Sequence, residues 1–209
     1  MNRLASLISG TRAILSLASI AMFLLFVVAC SKDDASIVLS SDPDGTSPTF
    51  TTDNALPPRD GPRPETTESV PHVQIDVQLV PDVHDALVKK IYAIPGVLDR
   101  PSAVASWRGI LINDDITVLV SQALISGREF GHIHDDGSLH IFLEPERAQE
   151  AVDTGWAIFH PFALTGDERW QGFVMLYTPQ SHEEADITYQ LILEAFDYIT
   201  GSGLRQMDG

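Results

Sequence analysis

The sequence predicts a single α+β domain with a mainly antiparallel sheet and two to three packed helices. Strand-like segments, in which apolar and polar residues alternate, outnumber helical segments after residue 71. Several neighbouring strand-like segments are joined by tight turns, which is typical of antiparallel hairpins. The domain is placed at residues 72–206, and about 135 residues are enough to bury one hydrophobic core.

In the first half of this domain, alternation and turn residues predict one helix among four strands. The segments are, in order, a strand at 73–79, a helix at 82–93 and strands at 102–107, 109–112 and 116–120. Pro95 and Gly96 end the helix, because neither residue continues a helical turn easily. Asn113, Asp114 and Asp115 form a turn between the last two strands.

In the second half, a hairpin is followed by two helices and two strands. These are a helix at 145–153, strands at 156–160 and 172–177, and a long helix from 181 to about 200. Ser181 and Glu184 have the spacing of a capping box at the start of the long helix, and Gly201 marks its end. Leu191 and Phe196 lie on the apolar stripe of this helix, which is expected to dock on the sheet.

The first 29 residues have the pattern of a lipoprotein signal peptide. Arg3 and Arg12 precede an uncharged, mostly apolar run at 13–29, and small residues precede Cys30 as in a bacterial lipobox. The pattern predicts cleavage before Cys30 and acylation of that cysteine. Ser31 favours an outer-membrane address, facing the periplasm of a bacterial cell envelope. The alternative is an uncleaved anchor helix, which would be short for a hydrocarbon core of about 30 Å.

A disordered tether is predicted from Cys30 to residue 71. Residues 31–71 hold seven of the thirteen prolines, are rich in serine and threonine, and contain one aromatic residue, Phe50. Such a segment buries too little apolar surface to offset its ordering entropy. The tether would connect the domain to the membrane through the N-terminal lipid.

Charge and cysteine content exclude several classes of function. The formal net charge is −16, and removal of Arg3 and Arg12 with the signal peptide leaves 11 basic and 29 acidic residues, or −18. Such a charge repels nucleic acid, which is therefore not an expected partner. Cys30 is the single cysteine of the sequence, so the mature domain has no disulfide, no thiolate nucleophile and no cysteine-ligated zinc site.

Three of the seven histidines surround the turn of the predicted hairpin. A two-residue turn at Asp136-Gly137 would place His140 on the opposite face from His132 and His134. A three-residue loop with Gly137 left-handed would pair His132 with His140 and place all three imidazoles on one face. The second loop is favoured, because glycine suits the bulged third position. Three adjacent histidines are a candidate functional site, and the alternative is a set of separately hydrogen-bonded polar residues.

Motifs around these histidines resemble the luciferase-domain family, which includes the fungal luciferase and many uncharacterised bacterial and fungal proteins. The resemblance covers about residues 100–201. The motifs are R-E-x-x-H-x-H at 128–134, L-H at 139–140, G-W-x-x-x-H-P at 155–161 and L-Y-x-P-x-x-x-E-E-A at 176–185. Each motif alone is weak, but the combination is specific.

The resemblance implies a chemical class. The fungal enzyme oxidises a hydroxylated styrylpyrone with molecular oxygen and has no recognised organic cofactor. For this chain, which its signal peptide predicts to be membrane-tethered, the resemblance implies an oxidoreductase that uses oxygen, without a cofactor, on a small aromatic or enolic compound. In this chemistry an acidic enol loses its proton and the enolate reacts directly with oxygen.

The candidate catalytic residues of such an enzyme are His132, His134, His140, His160 and Arg128. The histidines could supply a general base, which works best when its pKa is near the ambient pH. Arg128 precedes two of them by four and six residues, so alternation places its guanidinium on their face, where it could stabilise an oxyanion. The alternative for Arg128 is an ion pair with Glu129 or a surface position.

Two further residues have competing interpretations. Trp156 could form a flat apolar wall that binds an aromatic substrate, although packing in the core is favoured. Glu129 could add a carboxylate to the site, but its odd spacing from His132 places it on the opposite face of the strand.

Two other functions stay open. His132, His134 and His140 have the spacing of a three-histidine zinc or iron site. A lipoprotein that binds a small molecule without turnover would use the same pocket. The sequence contains no G-x-S-x-G, P-loop or H-E-x-x-H motif, which excludes those hydrolase and nucleotide-binding classes.

Overall fold

A computed structural model describes residues 55–204 of the chain. The strands of this part are β1 (Val97–Pro101), β2 (Arg108–Ile112), β3 (Glu129–Ile133), β4 (Leu139–Phe142), β5 (Ala157–Phe159) and β6 (Phe173–Leu176). They form one antiparallel sheet in the order β1-β2-β3-β4-β6-β5. The α-helices of the same part are α1 (Pro81–Ile91), α2 (Pro145–Asp153) and α3 (His182–Thr200). The predicted α+β class is confirmed.

A proline begins α2, and the ends of α3 lie at the predicted residues. Pro145 occupies the first turn of α2, where its missing N–H costs no hydrogen bond. At the start of α3, the backbone N–H of Glu184 donates to the Ser181 hydroxyl at 3.2 Å. Gly201 ends α3 in the left-handed conformation, with φ 66°. The predicted caps at Ser181 and Gly201 are confirmed, but the Glu184 carboxylate accepts from the N–H of Gln180 at 2.8 Å and not from that of Ser181, so the capping box is only half formed.

The apolar stripe of α3 packs against the sheet as predicted. Leu191 and Phe196 are each 1% exposed, and the ring centroid of Phe196 lies 5.9 Å from that of Phe130 in β3. Full burial of one such side chain contributes about 1.5–3 kcal/mol. The contact between Phe196 and Phe130 fixes the strand that carries His132.

Three of the predicted strands are wrong. Residues 73–79, 102–107 and 116–120 are irregular, and strand β1 was not predicted. In the first of these segments the strand-like pairing is a single bridge between Gln74 and Thr66. The alternation of apolar and polar residues in this segment therefore does not indicate a paired strand.

Backbone N–H groups of the other two segments form hydrogen bonds that are not part of strand pairing. The N–H of Ala103 donates to the Glu129 carboxylate at 2.7 Å. The N–H groups of Leu119 and Val120 donate to the carbonyl of Ile199, near the end of α3. These long-range hydrogen bonds satisfy the backbone N–H groups without strand pairing. The hydrophobic periodicity of the sequence does not reveal them.

The segment before α1, residues 55–80, is named here the N-terminal arm. Leu56 is 5% exposed, and its N–H donates to Oε1 of Glu150 at 2.7 Å. Arg59 forms an ion pair with Glu184 at 3.1 Å, and both side chains are largely buried. The arm is thus anchored to α2 and α3.

These contacts correct the predicted domain boundary. The prediction of a disordered tether is wrong for residues 55–71, because backbone and arginine hydrogen bonds anchor a segment that has little apolar surface of its own. The signal peptide, Cys30 and residues 31–54 lie outside the described residues. Within residues 55–204, no helix has the length and apolar character needed to cross a membrane.

Candidate active site

The hairpin that carries three histidines has the predicted three-residue loop. His132 pairs with His140 across β3 and β4, and the N–H of His134 donates to the carbonyl of Ser138 at 2.8 Å. Gly137 is left-handed, with φ 84°, a conformation that other residues rarely adopt. The three imidazoles therefore share one face, and this prediction is confirmed.

Two more histidines join these three in a buried cluster, named here the histidine centre. Its members are His72, His132, His134, His140 and His160, each 2–4% exposed. His140 lies in the middle, with Nδ1 3.1 Å from Nε2 of both His132 and His134, and Nε2 3.1 Å from Nδ1 of His72. The ring centroid of His160 lies 4.7 Å from that of His140. The structure thus brings together the four histidines named from the sequence.

His72 was not predicted as a site residue. It belongs to the N-terminal arm and lies 68 residues from His140 along the chain. Its position follows from Gln74, whose side-chain amide bonds to the N–H and hydroxyl of Thr178, while its backbone N–H donates to Asp136 in the hairpin loop. No local pattern in the sequence connects His72 with the hairpin.

Glu129 lies beside His132, contrary to the prediction from alternation. A β-bulge shifts the register between β2 and β3, so that Gly131 pairs with Ile110 but Glu129 pairs with Leu111. The bulge adds one residue to β3, so the residues before it point to the sheet face opposite to the one that simple alternation predicts. Glu129 is 0% exposed, and its Oε1 lies 2.9 Å from Nδ1 of His132.

The same bulge accounts for the position of Arg128. Its guanidinium donates to the carbonyls of Ile112 at 2.9 Å, Asn113 at 2.7 Å and Ile116, and it lies 3.5 Å from the Asp114 carboxylate. Arg128 therefore closes the loop after β2. The expected place of its guanidinium on the histidine face is wrong.

Trp107, and not Trp156, provides an aromatic wall at the centre. Trp156 packs in the hydrophobic core, where its Nε1–H donates to the carbonyl of Pro57 at 2.7 Å. The half-buried ring of Trp107 lies with its centroid 4.0 Å from that of His134 and 5.5 Å from that of His132. Trp107 was missed because it belongs to the segment wrongly predicted as a strand.

Aromatic rings also surround His160. The ring of Phe173 lies 4.5 Å from His160 and 5.5 Å from His140, and the ring of Phe162 lies 4.6 Å from His160. Phe162 is 38% exposed, whereas Phe173 is buried. This apolar lining lowers the local dielectric around the imidazoles.

The partners of the outer ring nitrogens determine where the imidazole protons lie. A carboxylate only accepts, so Nδ1–H of His132 donates to Glu129. The Ser138 hydroxyl donates to Asp136 at 2.7 Å, so it accepts from Nδ1–H of His134 at 2.8 Å. In their neutral forms, His132 and His134 therefore direct the lone pairs of Nε2 toward the middle of the centre.

Burial governs the protonation of most of the centre. It lowers the pKa of His134 and of His160 to about 3, and the neighbouring histidines add to this effect. Burial also lowers the pKa of His72 and of His140. These four imidazoles are consequently uncharged at neutral pH.

Glu129 is the charged group of the centre. Burial alone would raise its pKa, but hydrogen bonds from His132, the Ala103 N–H and the Ser102 hydroxyl hold the pKa below its usual range. The hydrogen bonds decide the outcome because each one stabilises the ionised form. Glu129 therefore remains a carboxylate at neutral pH.

An open cleft of about 670 Å³ borders the centre. His134 and Trp107 line it together with His84, Asp99 and Arg108. Pockets for small molecules have volumes of roughly 300–1,000 Å³. The cleft is therefore large enough to bring a compound of one or two rings to the edge of the centre.

Comparison with known proteins identifies a luciferase domain. The luciferase-domain family matches residues 127–195. Proteins named luciferase from Armillaria mellea, Armillaria gallica and Armillaria ostoyae are 30%, 29% and 29% identical to the chain over 168 residues. The chain therefore contains a luciferase domain at residues 127–195. No solved structure matches the chain significantly.

The luciferase domain contains most of the centre. Each alignment covers 69% of this chain and 61% of the relative, so the chain spans about three-fifths of the length of these luciferases. Four of the five histidines lie within the matched segment, whereas His72 and Trp107 precede it. Residues outside the matched segment thus complete the centre of this luciferase-domain protein.

Proposed function

We propose that this protein is an oxygen-using oxidoreductase that acts on a small aromatic or enolic compound at the histidine centre. The observation that carries the proposal is the convergence of four histidines of the luciferase domain on one buried point beside an open cleft. The relatives named luciferase support the chemical class.

The proposed reaction adds molecular oxygen to an enol. The enol O–H loses its proton, and a carbon of the resulting enolate forms a C–O bond with oxygen. The electron pair of that bond comes from the enolate and reduces oxygen to the peroxide level, and the proton then binds the distal oxygen. The product is a hydroperoxide that contains every atom of both reactants. Side chains that stabilise the enolate would lower the barrier.

His132 is the best-placed proton acceptor if the centre works without a cofactor. His134 and His160, with pKa values lowered to about 3, are weak bases at neutral pH. The ionised Glu129, 2.9 Å from Nδ1 of His132, would stabilise the imidazolium that forms. Trp107 would hold an aromatic substrate at the edge of the centre, beside His134.

Oxygen uptake by the purified full chain tests the proposal. We expect uptake with at least one member of a panel of enolisable phenols and pyrones. His132→Gln should lower the rate about 100-fold or more, in line with the loss of a general base at the reacting centre. His182→Gln serves as the matched control, because the His182 side chain is 62% exposed at the start of α3.

Two outcomes would contradict this function. Equal oxygen uptake by the His132→Gln and wild-type proteins would place the chemistry elsewhere. Saturable binding of a panel compound without oxygen uptake would indicate a binding lipoprotein that performs no turnover.

We also propose that the N-terminal lipid of Cys30 ties the protein to the bacterial envelope, with the domain facing the periplasm from the outer membrane. The support is the lipobox-like sequence that ends at Cys30 and the proline-rich segment that follows it. Intact-mass measurement of the membrane fraction should show a diacylated cysteine as the first residue. A Cys30→Ser protein that is still processed and still membrane-bound would overturn this proposal.

A further inference from the structure

Three nitrogen atoms of the histidine centre have the spacing of metal ligands. Nδ1 of His140 lies 3.1 Å from Nε2 of His132 and 3.1 Å from Nε2 of His134, and one ligand atom of each residue lies within 4.8 Å of the others. Nitrogen atoms that bind one ion at about 2.0–2.1 Å are roughly 2.8–3.4 Å apart for bond angles of 90–109°. We propose that His132, His134 and His140 together bind one divalent transition-metal ion.

The placement of protons supports a cation at this point. Because Glu129 and Ser138 accept the Nδ1 protons of His132 and His134, both neutral rings direct a lone pair toward Nδ1 of His140. That nitrogen carries at most one proton, so it donates to one of the two lone pairs and leaves the other without a donor. One metal ion would satisfy all three nitrogens at once.

Each proposed ligand has a partner on its other ring nitrogen. His132 bonds to Glu129, His134 to Ser138, and Nε2 of His140 lies 3.1 Å from Nδ1 of His72. Metal-bound histidines nearly always have such a partner, which fixes the ring orientation and the tautomer. The arm histidine would therefore position His140 and not bind the ion.

A second trio, formed by His72, His140 and His160, is close enough in space but has the wrong tautomer. Nδ1 of His160 accepts from the backbone N–H of Phe162 at 3.1 Å, so the proton of this neutral ring lies on Nε2. When Nδ1 of His140 binds the ion, the proton of that ring lies on Nε2, and Nδ1 of His72 is then needed as its acceptor. The structure therefore favours one ion and not two.

The ligand set indicates the kind of metal. Three imidazoles suit Zn²⁺, Fe²⁺ and Cu²⁺, whereas Mg²⁺ and Ca²⁺ prefer oxygen ligands. Three protein ligands leave a coordination position for water or for a substrate oxygen. Only the chemical role of the ion rests on the proposed function. In that role a bound ion would act as a Lewis acid toward the enol oxygen, and His132 would be a ligand and not the base.

A cobalt titration of the full chain, stripped with a chelator, tests the proposal. We expect one Co²⁺ per chain, with visible absorption bands of nitrogen-bound Co²⁺, and one Zn²⁺ or Fe²⁺ per chain in elemental analysis of the untreated protein. His132→Gln and His134→Gln should abolish the bands. Glu129→Gln should weaken Co²⁺ binding about 10- to 100-fold, as expected when the partner of a ligand is lost. His160→Gln and the exposed control His182→Gln should each still bind one Co²⁺.

Either of two results would overturn the proposal. One is a wild-type protein that binds no stoichiometric Co²⁺ and purifies without metal. The other is loss of Co²⁺ binding in His160→Gln but not in His134→Gln, which would place the ion in the second trio. Oxygen uptake by a protein that binds no metal would leave the proposed function standing, with His132 and Glu129 as the proton-accepting pair. Variants that fail to fold do not affect the wild-type measurements.

Discussion

The hairpin of β3 and β4 and the N-terminal arm supply histidines to the same centre, but the sequence encodes the two regions differently. In the hairpin, His132 and His140 are eight residues apart, and the loop between them determines their pairing. In the arm, the contact of Gln74 with Asp136 spans 62 residues and that of Arg59 with Glu184 spans 125. Local turn chemistry thus builds one half of the centre and long-range hydrogen bonds place the other.

The difference shows why composition misled in the arm. Low apolar content predicts disorder when ordering must be offset by burial of the segment itself. Here one buried leucine, Leu56, and several hydrogen bonds to α2 and α3 hold the arm on a domain that is already folded. Such a segment is ordered by its partners.

The largest expected effect comes from removing the support beneath the hairpin. Phe196→Ala should lower the free energy of unfolding by about 3–5 kcal/mol, because it leaves a cavity next to Phe130 in β3. Urea denaturation followed by circular dichroism measures this change. Leu164→Ala is the control, because Leu164 is 73% exposed and should change stability by less than about 0.5 kcal/mol. A loss below about 1 kcal/mol for Phe196→Ala would show that α3 does not support the hairpin.

The arm should make a smaller contribution that is still measurable. Leu56→Ala should lower the free energy of unfolding by about 2–3 kcal/mol, because the side chain is buried against the domain. Val70, in the same arm, is 56% exposed, so Val70→Ala should have almost no effect. Identical denaturation curves for Leu56→Ala and wild type would restore the prediction of an independent tether.

Local signals predicted much of the fold. The glycine at 137 predicted the hairpin loop, and Ser181 with Glu184 predicted the start of α3. The bulge that brings Glu129 to His132 was not predictable, because the register shift depends on the partner strand β2. The position of Trp107 against His134 was not predictable for the same reason, since that contact depends on the loop between β1 and β2.

A third prediction concerns the contact where the two regions meet. His72→Ala should weaken Co²⁺ binding about tenfold, because Nε2–H of His140 would lose its acceptor. His72→Gln offers an amide oxygen as a replacement acceptor and should recover most of the affinity. Equal affinities of wild type and His72→Ala would show that the arm covers the centre without positioning His140.

The smallest expected effect distinguishes the structural role of Trp156 from the substrate-binding role proposed for Trp107. Trp156→Phe removes the hydrogen bond to Pro57 of the arm and should lower the free energy of unfolding by about 1 kcal/mol. Oxygen uptake should not change, because Trp156 packs in the core. If Trp156→Phe instead raised the KM for an aromatic substrate at unchanged stability, Trp156 and not Trp107 would form the substrate wall.

The arrangement of protons in the histidine centre is the central claim, and long-range ¹H–¹⁵N NMR of the imidazoles tests it most directly. In the metal-free full chain at neutral pH, single-histidine variants would assign the signals. The account predicts a proton on Nδ1 of His132 and of His134, and a proton on Nε2 with a bare Nδ1 in His160. Bare Nδ1 atoms in His132 and His134 would contradict it, because their Nε2 atoms would then carry protons and could not present lone pairs to a metal ion or to a substrate.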